Sequence, residues 1–430
     1  MRIAVWSPLP PAPTGIADYA AEQAAALERH LEVVRVGSEA EADRAAGADL
    51  DLYHLGNSPA HGFVYHAALR RPGVLFLHEW SLHHLVLAET VERGDVSSYL
   101  QQMRRAHGET GTFVARQVAR GLGGDLLPAL FPLNDLLLER SLAVVALSET
   151  LRARAAARLP DRPVLHLPHH VVLPLDPLPA KDEARRAVGL PEDALVVTAP
   201  GRATRTKRLE ALVQAIARLR GRHPALMLVV AGDVEPGLPL AEWAGQAGLG
   251  GAFRVMEHLP LPQFVRHLVA ADVVACLRFP SHGEISGAVV RAMGVGRPVL
   301  VSAGTPSAEE FPEGTVIPID PGPHEAAELM AVLDRLLADP ALREAVGRLA
   351  REHVRSRHDL HRTAEQLKSF LDEVAARKAE VLTAIEEGRG REGSLLEYLL
   401  QEVRYAAQDL GLPDLPPGVE PLVADLAGPR

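Results

Sequence analysis

The chain is short of several features that would each have named a function class. It has one cysteine, Cys276, in 430 residues, which leaves no disulfide framework and no thiolate metal site. Cys276 falls inside an apolar strand-like run and reads as core. No apolar run approaches the roughly 20 residues a membrane span requires. The opening Met1-Arg2-Ile3-Ala4-Val5-Trp6 reads as a first strand and not as a leader, and no strongly basic amphipathic helix is present. The expectation is a cytoplasmic protein with at most peripheral membrane contact. There is no positive excess either: the formal net charge is −10, which argues against nucleic acid as the main partner. No strand is followed by GxGxxG and no GxxxxGK[ST] occurs, so the dinucleotide fingerprint and the P-loop are both missing. Aromatics make up only 4% of the chain.

What is present is an alternation of apolar strand-like runs with helical patterns, the signature of parallel α/β architecture. The first half reads as strands at Ile3–Trp6, Leu31–Val36, Leu50–Leu55, Val74–Leu77, Ala143–Leu147 and Val164–Leu167. A mostly helical insertion over about 95–140 carries Tyr99, Met103, Phe113 and Val114 as expected core anchors. Leu173-Pro174-Leu175-Asp176-Pro177-Leu178-Pro179 breaks both periods and reads as a stiff linker. The cycle then restarts with strands at Leu195–Thr198, Leu226–Ala231, Phe253–Met256, Val273–Leu277, Val299–Val301 and Val316–Ile319. The division is a first Rossmann-like domain over 1–172, a linker over 173–190, a second domain over 191–365 and a helical extension over 366–430. Two doubly wound domains of this kind face each other across a cleft at their strand carboxyl ends, where ligands bind in such sheets.

Several loops at those strand ends carry chemistry. Pro13-Thr14-Gly15-Ile16-Ala17-Asp18-Tyr19 follows the first strand. There Gly15 permits close approach of a ligand at a helix start, or the turn is simply capped by Thr14. His78 and Glu79 end another strand and face the cleft, with Asn57 and His61 on the neighbouring loop as ligand contacts or as a cap and a surface residue. His83 and His84 are adjacent on a helix and point about 100° apart, a poor chelating pair. Arg202, Arg205, Lys207 and Arg208 place four cations within seven residues after a strand, which suggests an anionic ligand or a solvated loop. The segment Pro280-Ser281-His282-Gly283-Glu284-Ile285-Ser286-Gly287 leads into a helix whose positive end suits a diphosphate. Glu284 stands beside it to meet hydroxyl groups. Asp49-Leu50-Asp51 is a D-x-D, but it precedes an early strand where two acids commonly flank a core leucine.

The order Thr14-Gly15, His78, Gly201-Arg202 to Lys207, then Gly283-Glu284 with Ser286-Gly287, resembles the GT-B glycosyltransferases of the large retaining family 4, over about residues 1–370. The resemblance implies a first domain that binds the acceptor and a second that binds a nucleotide-sugar donor. It implies that His78 and Glu284 serve catalysis and the transferred sugar. Gly15, Arg202, Lys207, Ser286, Gly287 and Arg291 would serve the donor, and Asp18, Tyr19, Asn57, His61 and Glu79 the acceptor. No cofactor and no metal are expected beyond the donor as co-substrate, and the acceptor would be a glycan or a lipid-linked glycan. One departure stands out. The family has Glu, seven residues and Glu before Ala-Met, whereas here Gly283 occupies the first position and Arg291 the second, with Glu284 one step out of register.

These readings point to a retaining hexosyltransferase of polysaccharide or glycoconjugate biosynthesis. The rival is a non-catalytic nucleotide-sugar or glycan-binding subunit, favoured by the missing second Glu. A third reading keeps the fold and makes the chain a nucleotide-sugar epimerase. The base, the sugar and the acceptor are not encoded in any of these motifs.

Overall fold

Strands buried on both faces read as unbroken apolar runs, and two sets of such runs form two sheets here. The computed structural model describes residues 1–391 apart from Pro13, together with Val403, Ala407, Gly418, Val419, Pro421 and Leu422. The first domain opens with β1 (Arg2–Trp6), α1 (Gly15–Leu27), β2 (Glu32–Val36), β3 (Leu50–Leu55), α2 (Gly62–Arg70) and β4 (Val74–Leu77). It continues with α3 (His83–Glu89), α4 (Val96–Ala119), α5 (Leu127–Leu130), α6 (Asp135–Arg140), β5 (Ala143–Ala146), α7 (Glu149–Arg158) and β6 (Val164–His166). The second runs α8 (Lys181–Ala187), β7 (Leu195–Pro200), α9 (Leu209–Leu219), β8 (Leu226–Ala231), α10 (Leu240–Gln246), β9 (Phe253–Met256), α11 (Leu261–Ala270) and β10 (Val273–Cys276). It closes with α12 (Gly287–Gly294), β11 (Val299–Ser302), α13 (Pro306–Glu309), β12 (Ile317–Ile319), α14 (Glu325–Ala338), α15 (Pro340–Arg357) and α16 (Leu360–Arg391).

Both sheets are parallel, in the orders β2-β1-β3-β4-β5-β6 and β12-β11-β10-β7-β8-β9. In each, the chain leaves its first strand on one side and returns on the other. The switch points therefore lie between β1 and β3 and between β7 and β10, where crevices open at the strand ends. The Gly15 loop follows β1, the Arg202–Lys207 loop follows β7 and the Glu284 loop follows β10. Topology alone thus brings these three loops to the crevices.

The domains meet at that edge. The backbone N–H groups of Trp80 and Ser81 both donate to the His282 carbonyl, at 2.8 and 3.1 Å. At the far side Glu310, just past α13, accepts from the Glu149 N–H at the start of α7 (2.9 Å) and lies 2.9 Å from His166 Nε2. α16 starts beside the first domain, where Arg29 Nη1 and His361 Nδ1 are 3.0 Å apart.

Three expectations change. Residues 181–187, read as part of the linker, form α8, which belongs with the second domain: Arg185 donates to buried Asp272 at 2.6 Å and to the Ala270 carbonyl. Phe113, expected in the core, is exposed, while Tyr99 and Met103 are fully buried. Gly108 adopts φ +59° inside α4, the inward stripe restarts at Gly111 and Ala115, and position 113 then faces away. The extension placed at 366–430 has no break at 366, since α16 runs through it. Beyond Arg391 that reading lies almost wholly outside the described residues.

Candidate active site

The second domain contributes charge. β7 delivers the chain to Gly201, whose left-handed φ of +76° favours glycine; a Cβ there would come within 2.9 Å of Lys207 Nζ and displace the ammonium. Lys207 Nζ donates to the Pro200 carbonyl at 2.5 Å. Burial, with Arg278 beside it, pushes this ammonium down to about 7. Arg202 is exposed on the same loop and has no ion pair among the described residues. After β10, Arg278 Nη1 lies 2.7 Å from Glu284 Oε1, and the other carboxylate oxygen accepts from the His282 N–H at 2.8 Å and from Ser281 Oγ at 3.2 Å. α12 then begins. The N–H groups of Gly287 and Ala288 stand at the helix start, where no intrahelical partner exists, while the Ser286 N–H is directed at Ser307 Oγ over a long 3.4 Å.

The first domain contributes a nest of rings. His78 Nε2 and His54 Nδ1 share a hydrogen bond of 3.0 Å. Tyr19 meets His78 edge-on at 5.0 Å and stacks on His170 at 3.9 Å. Burial and mutual repulsion hold His78 and His169 well below the usual imidazole range, and burial takes His54 and His170 to about 3 and His61 to about 4. All five are neutral at pH 7. Glu79 accepts from the Asn57 N–H at 2.8 Å, and burial together with the facing Glu284 raises its carboxyl well above the carboxylate range. Asn57 Oδ1 in turn accepts from the Leu85 N–H at 3.1 Å. Thr14 Oγ1 caps α1 through the Ala17 N–H at 3.2 Å, leaving Gly15 facing open space.

One cavity of about 590 Å³ is lined by all of these: Gly15, Asp18, Tyr19, Asn57, His61, His78 and Glu79 from the first domain, and Arg202, Lys207, Glu284, Ser286, Gly287 and Arg291 from the second. Every residue that the resemblance assigns to catalysis, donor or acceptor therefore lines the same space, whereas Arg205 and Arg208 of the cation cluster do not, Arg208 being paired with Glu325 at 2.6 Å. Two stand there differently than expected. The Tyr19 oxygen accepts from the Gln23 side-chain amide at 3.4 Å and its ring is buried, so what it chiefly supplies is packing against His78. Arg291 is 8% exposed; its guanidinium lies against Gly287 and turns towards Asp18 and Glu22 of α1, whose carboxyls burial raises and Arg291 partly restores. Its Nε is buried without a hydrogen-bond partner.

Arg278, His54, His169 and His170 were missed. Arg278 and the His169-His170 pair follow β10 and β6, so the strand-end rule that selected His78 would have found them. The D-x-D residues are spoken for: Asp49 accepts from the Arg2 N–H, and Asp51 accepts from Trp6 Nε1 and pairs with Arg71. Among the described residues no group of three or more His, Cys, Asp or Glu side chains is disposed to hold a metal ion, and no helix is long and apolar enough to cross a membrane.

Residues 180–353 match the family model described as Glycosyl transferases group 1. A curated relative, the D-inositol 3-phosphate glycosyltransferase of Kribbella flavida, is 32% identical over 180 residues, which cover 40% of this chain and 42% of the relative. The match thus spans less than half the length of either. Among solved structures, a sucrose-phosphate synthase from Thermosynechococcus elongatus is similar with a TM-score of 0.63 at 19% identity, covering 87% of this chain and 99% of that one. Anabaena HepE in complex with UDP-glucose is similar with a TM-score of 0.59 at 17% identity, covering 87% and 100%. Residues 180–353 are a Glycosyl transferases group 1 domain, set within a two-domain GT-B fold.

Proposed function

We propose that the chain is a retaining glycosyltransferase that moves a hexose from a nucleoside diphosphate sugar to an acceptor hydroxyl. The observation that carries this reading is the convergence, at the switch points of both sheets, of a cationic wall and a neutral imidazole wall on one cavity. The donor diphosphate lies against Arg202, Lys207 and the N–H groups of Gly287 and Ala288. Glycosyl transfer passes through an oxocarbenium-like state, and the departing diphosphate gains charge as the glycosidic bond breaks. Fixed cations and N–H dipoles aimed at that charge lower the barrier without reorganising. Glu284, fixed by Arg278, Ser281 and the His282 N–H, holds the sugar hydroxyls, and His78, pinned by His54, borders the reacting face. Asp18, Asn57, His61 and Glu79 form the acceptor side. The likeness to HepE, solved with UDP-glucose, supports a nucleotide-sugar donor. The likeness of the matched region to D-inositol 3-phosphate glycosyltransferases supports transfer to a polyol or glycan hydroxyl. The proposal includes metal independence, a cytoplasmic setting and a place in glycan or glycoconjugate assembly.

A thermal-shift panel of UDP, GDP and ADP, each with and without EDTA, tests the donor site. At about 100 times its dissociation constant a ligand stabilises by roughly 2.7 kcal/mol. One nucleotide should raise the Tm, with EDTA making no difference and Lys207→Ala abolishing the shift. No shift with any nucleotide rejects the donor assignment.

The second reading, a nucleotide-sugar-binding subunit without turnover, is favoured by Arg291 standing where the family has its second acid. Incubation of the cognate sugar donor with mixed glycan and polyol acceptors separates the two. Release of the nucleoside diphosphate supports transfer, and binding without release supports the subunit.

A further inference from the structure

A second cavity, of about 630 Å³, lies at the opposite end of the second sheet, where the chain enters β10 and β11. The interdomain linker at Pro177–Pro179 forms one wall and α15 another. The geometry is set by a backbone contact. A Cβ on Gly347 would fall 2.1 Å from the Gly296 carbonyl oxygen, so α15 is held against the turn after α12 with no side chain between them. Residues four apart share a helix face, and Arg343 and Arg351 therefore flank that contact on the same stripe.

The lining is cationic in an acidic protein. Lys181, Arg297, Arg343, Arg348 and Arg351 face two carboxylates, Asp272 and Glu344. Asp272 is already met by Lys181 at 3.0 Å and by Arg185 at 2.6 Å, and Arg343 is turned to the Leu336 and Leu337 carbonyls at 2.6 and 2.9 Å. Arg348 and Arg351 are exposed and make no hydrogen bond or ion pair among the described residues. Arg297 spends Nη2 on the Val269 carbonyl at 2.7 Å, while its Nε is buried with no partner. Surplus guanidinium groups with unspent donors around a concave space match the oxygens of a phosphate ester. The volume is that of a sugar- or nucleotide-sized ligand.

We propose that this cavity is a second anion site, separate from the cleft, that takes a phosphate-bearing molecule on Arg297, Arg348 and Arg351. Because the linker forms one wall, an occupant touches the segment that joins the two domains. The inference stands whether or not the cleft performs glycosyl transfer.

Inorganic pyrophosphate is the probe, titrated calorimetrically into the full chain, into Arg348→Ala/Arg351→Ala and into Arg202→Ala/Lys207→Ala. The first double variant sits on an exposed helix face where Ala is well tolerated, and its Tm verifies folding. Binding should persist in the cleft variant and weaken by about tenfold or more in the α15 variant, since charge-assisted bonds are lost. It should also fall as salt is raised. If the α15 variant titrates like the parent, or if all binding vanishes with the cleft variant, the site does not exist. Sedimentation with phosphatidic acid vesicles against phosphatidylcholine vesicles identifies the source of the phosphate. Retention that needs Arg348 and Arg351 assigns it to a lipid headgroup, and pyrophosphate binding without retention assigns it to a free metabolite.

Discussion

The wall of the cleft supplied by the second domain presents cations and backbone N–H groups, whereas the first domain presents neutral imidazoles packed around Tyr19. The two walls rest on opposite uses of burial. On the second, burial leaves Lys207 poised near neutrality, so that an incoming anion recharges it. On the first, burial strips His54, His78, His169 and His170 of charge at physiological pH, leaving shape and directed hydrogen bonds. The cationic groups of the cleft are thus concentrated in the domain that matches the family model, and the imidazole wall lies in the other. This division orders the effects that substitutions should have.

The largest effect should come from the cationic wall. Lys207→Ala should lower kcat by about 10²–10³, the cost of losing one preorganised donor to a developing charge. Donor turnover assays check it, and unchanged turnover would remove Lys207 from the site. The pH dependence has a definite sign. In the free protein Lys207 carries its proton below about 7 and loses it above. A diphosphate requires the ammonium, so donor affinity should fall as pH rises through 7, by up to about tenfold per pH unit. Lys207→Arg should flatten that slope.

The imidazole wall should answer to acid instead. Its histidines have folded pKa values below the unfolded value of about 6.5. Between about 6.5 and 3 these rings therefore bind more protons in the unfolded chain than in the folded one, and their contribution to stability rises with pH across that window. The Tm should drop steeply on acidification below pH 6.5, each buried ring contributing up to about 1.4 kcal/mol per pH unit. His54→Phe, which keeps a flat ring against Phe76, should shallow the decline. An unchanged slope would mean that His54 does not titrate as its burial requires.

How much of this was legible follows from the same physics. Parallel strands buried on both faces leave apolar runs, so the strands of both sheets and the loops at their ends could be read directly, whereas the order of the strands across each sheet could not. Local punctuation misled in two places. Prolines at 174, 177 and 179 spread the linker over α8, whose tie to the second domain is the buried Arg185–Asp272 pair, far apart in sequence. The kink at Gly108 reset the face of α4 and exposed Phe113. The site's titratable pairs were beyond reach for the same reason: His54 with His78, Glu79 with Glu284, and Arg291 with Asp18 and Glu22 are joined only by tertiary contact.

Arg291 sharpens the comparison, because it is a cation of the second wall that faces acids of the first. Restoring the family's acid with Arg291→Glu would set a third carboxyl against Asp18 and Glu22, both already raised by burial. Like charges without a partner in such a place cost about 3 kcal/mol or more. Arg291→Met, which keeps the volume and removes the charge, should cost less. Denaturant melts of both variants decide the point. A Glu variant as stable as the parent would show that Arg291 does not face those acids.

The smallest effects should separate two glycines that border the cleft for different reasons. Gly283 holds φ +90°, and a Cβ there would meet Trp80 Cβ at 2.7 Å. Gly283→Ala therefore incurs roughly 1–2 kcal/mol of left-handed strain and must also push the loop off Trp80, where His282 accepts two N–H groups. Neither Cβ lies at the free end of a flexible chain, so the clash is relieved only by parting the domains at this edge. Gly15 has nothing within 4 Å of where its Cβ would stand and lies at the start of a helix. Gly15→Ala should leave the Tm nearly unchanged and weaken donor binding, because the methyl enters the space the ligand takes. Loss of Tm in Gly15→Ala with donor affinity intact would reverse the assignment, making the first turn a packing element and moving the diphosphate away from α1.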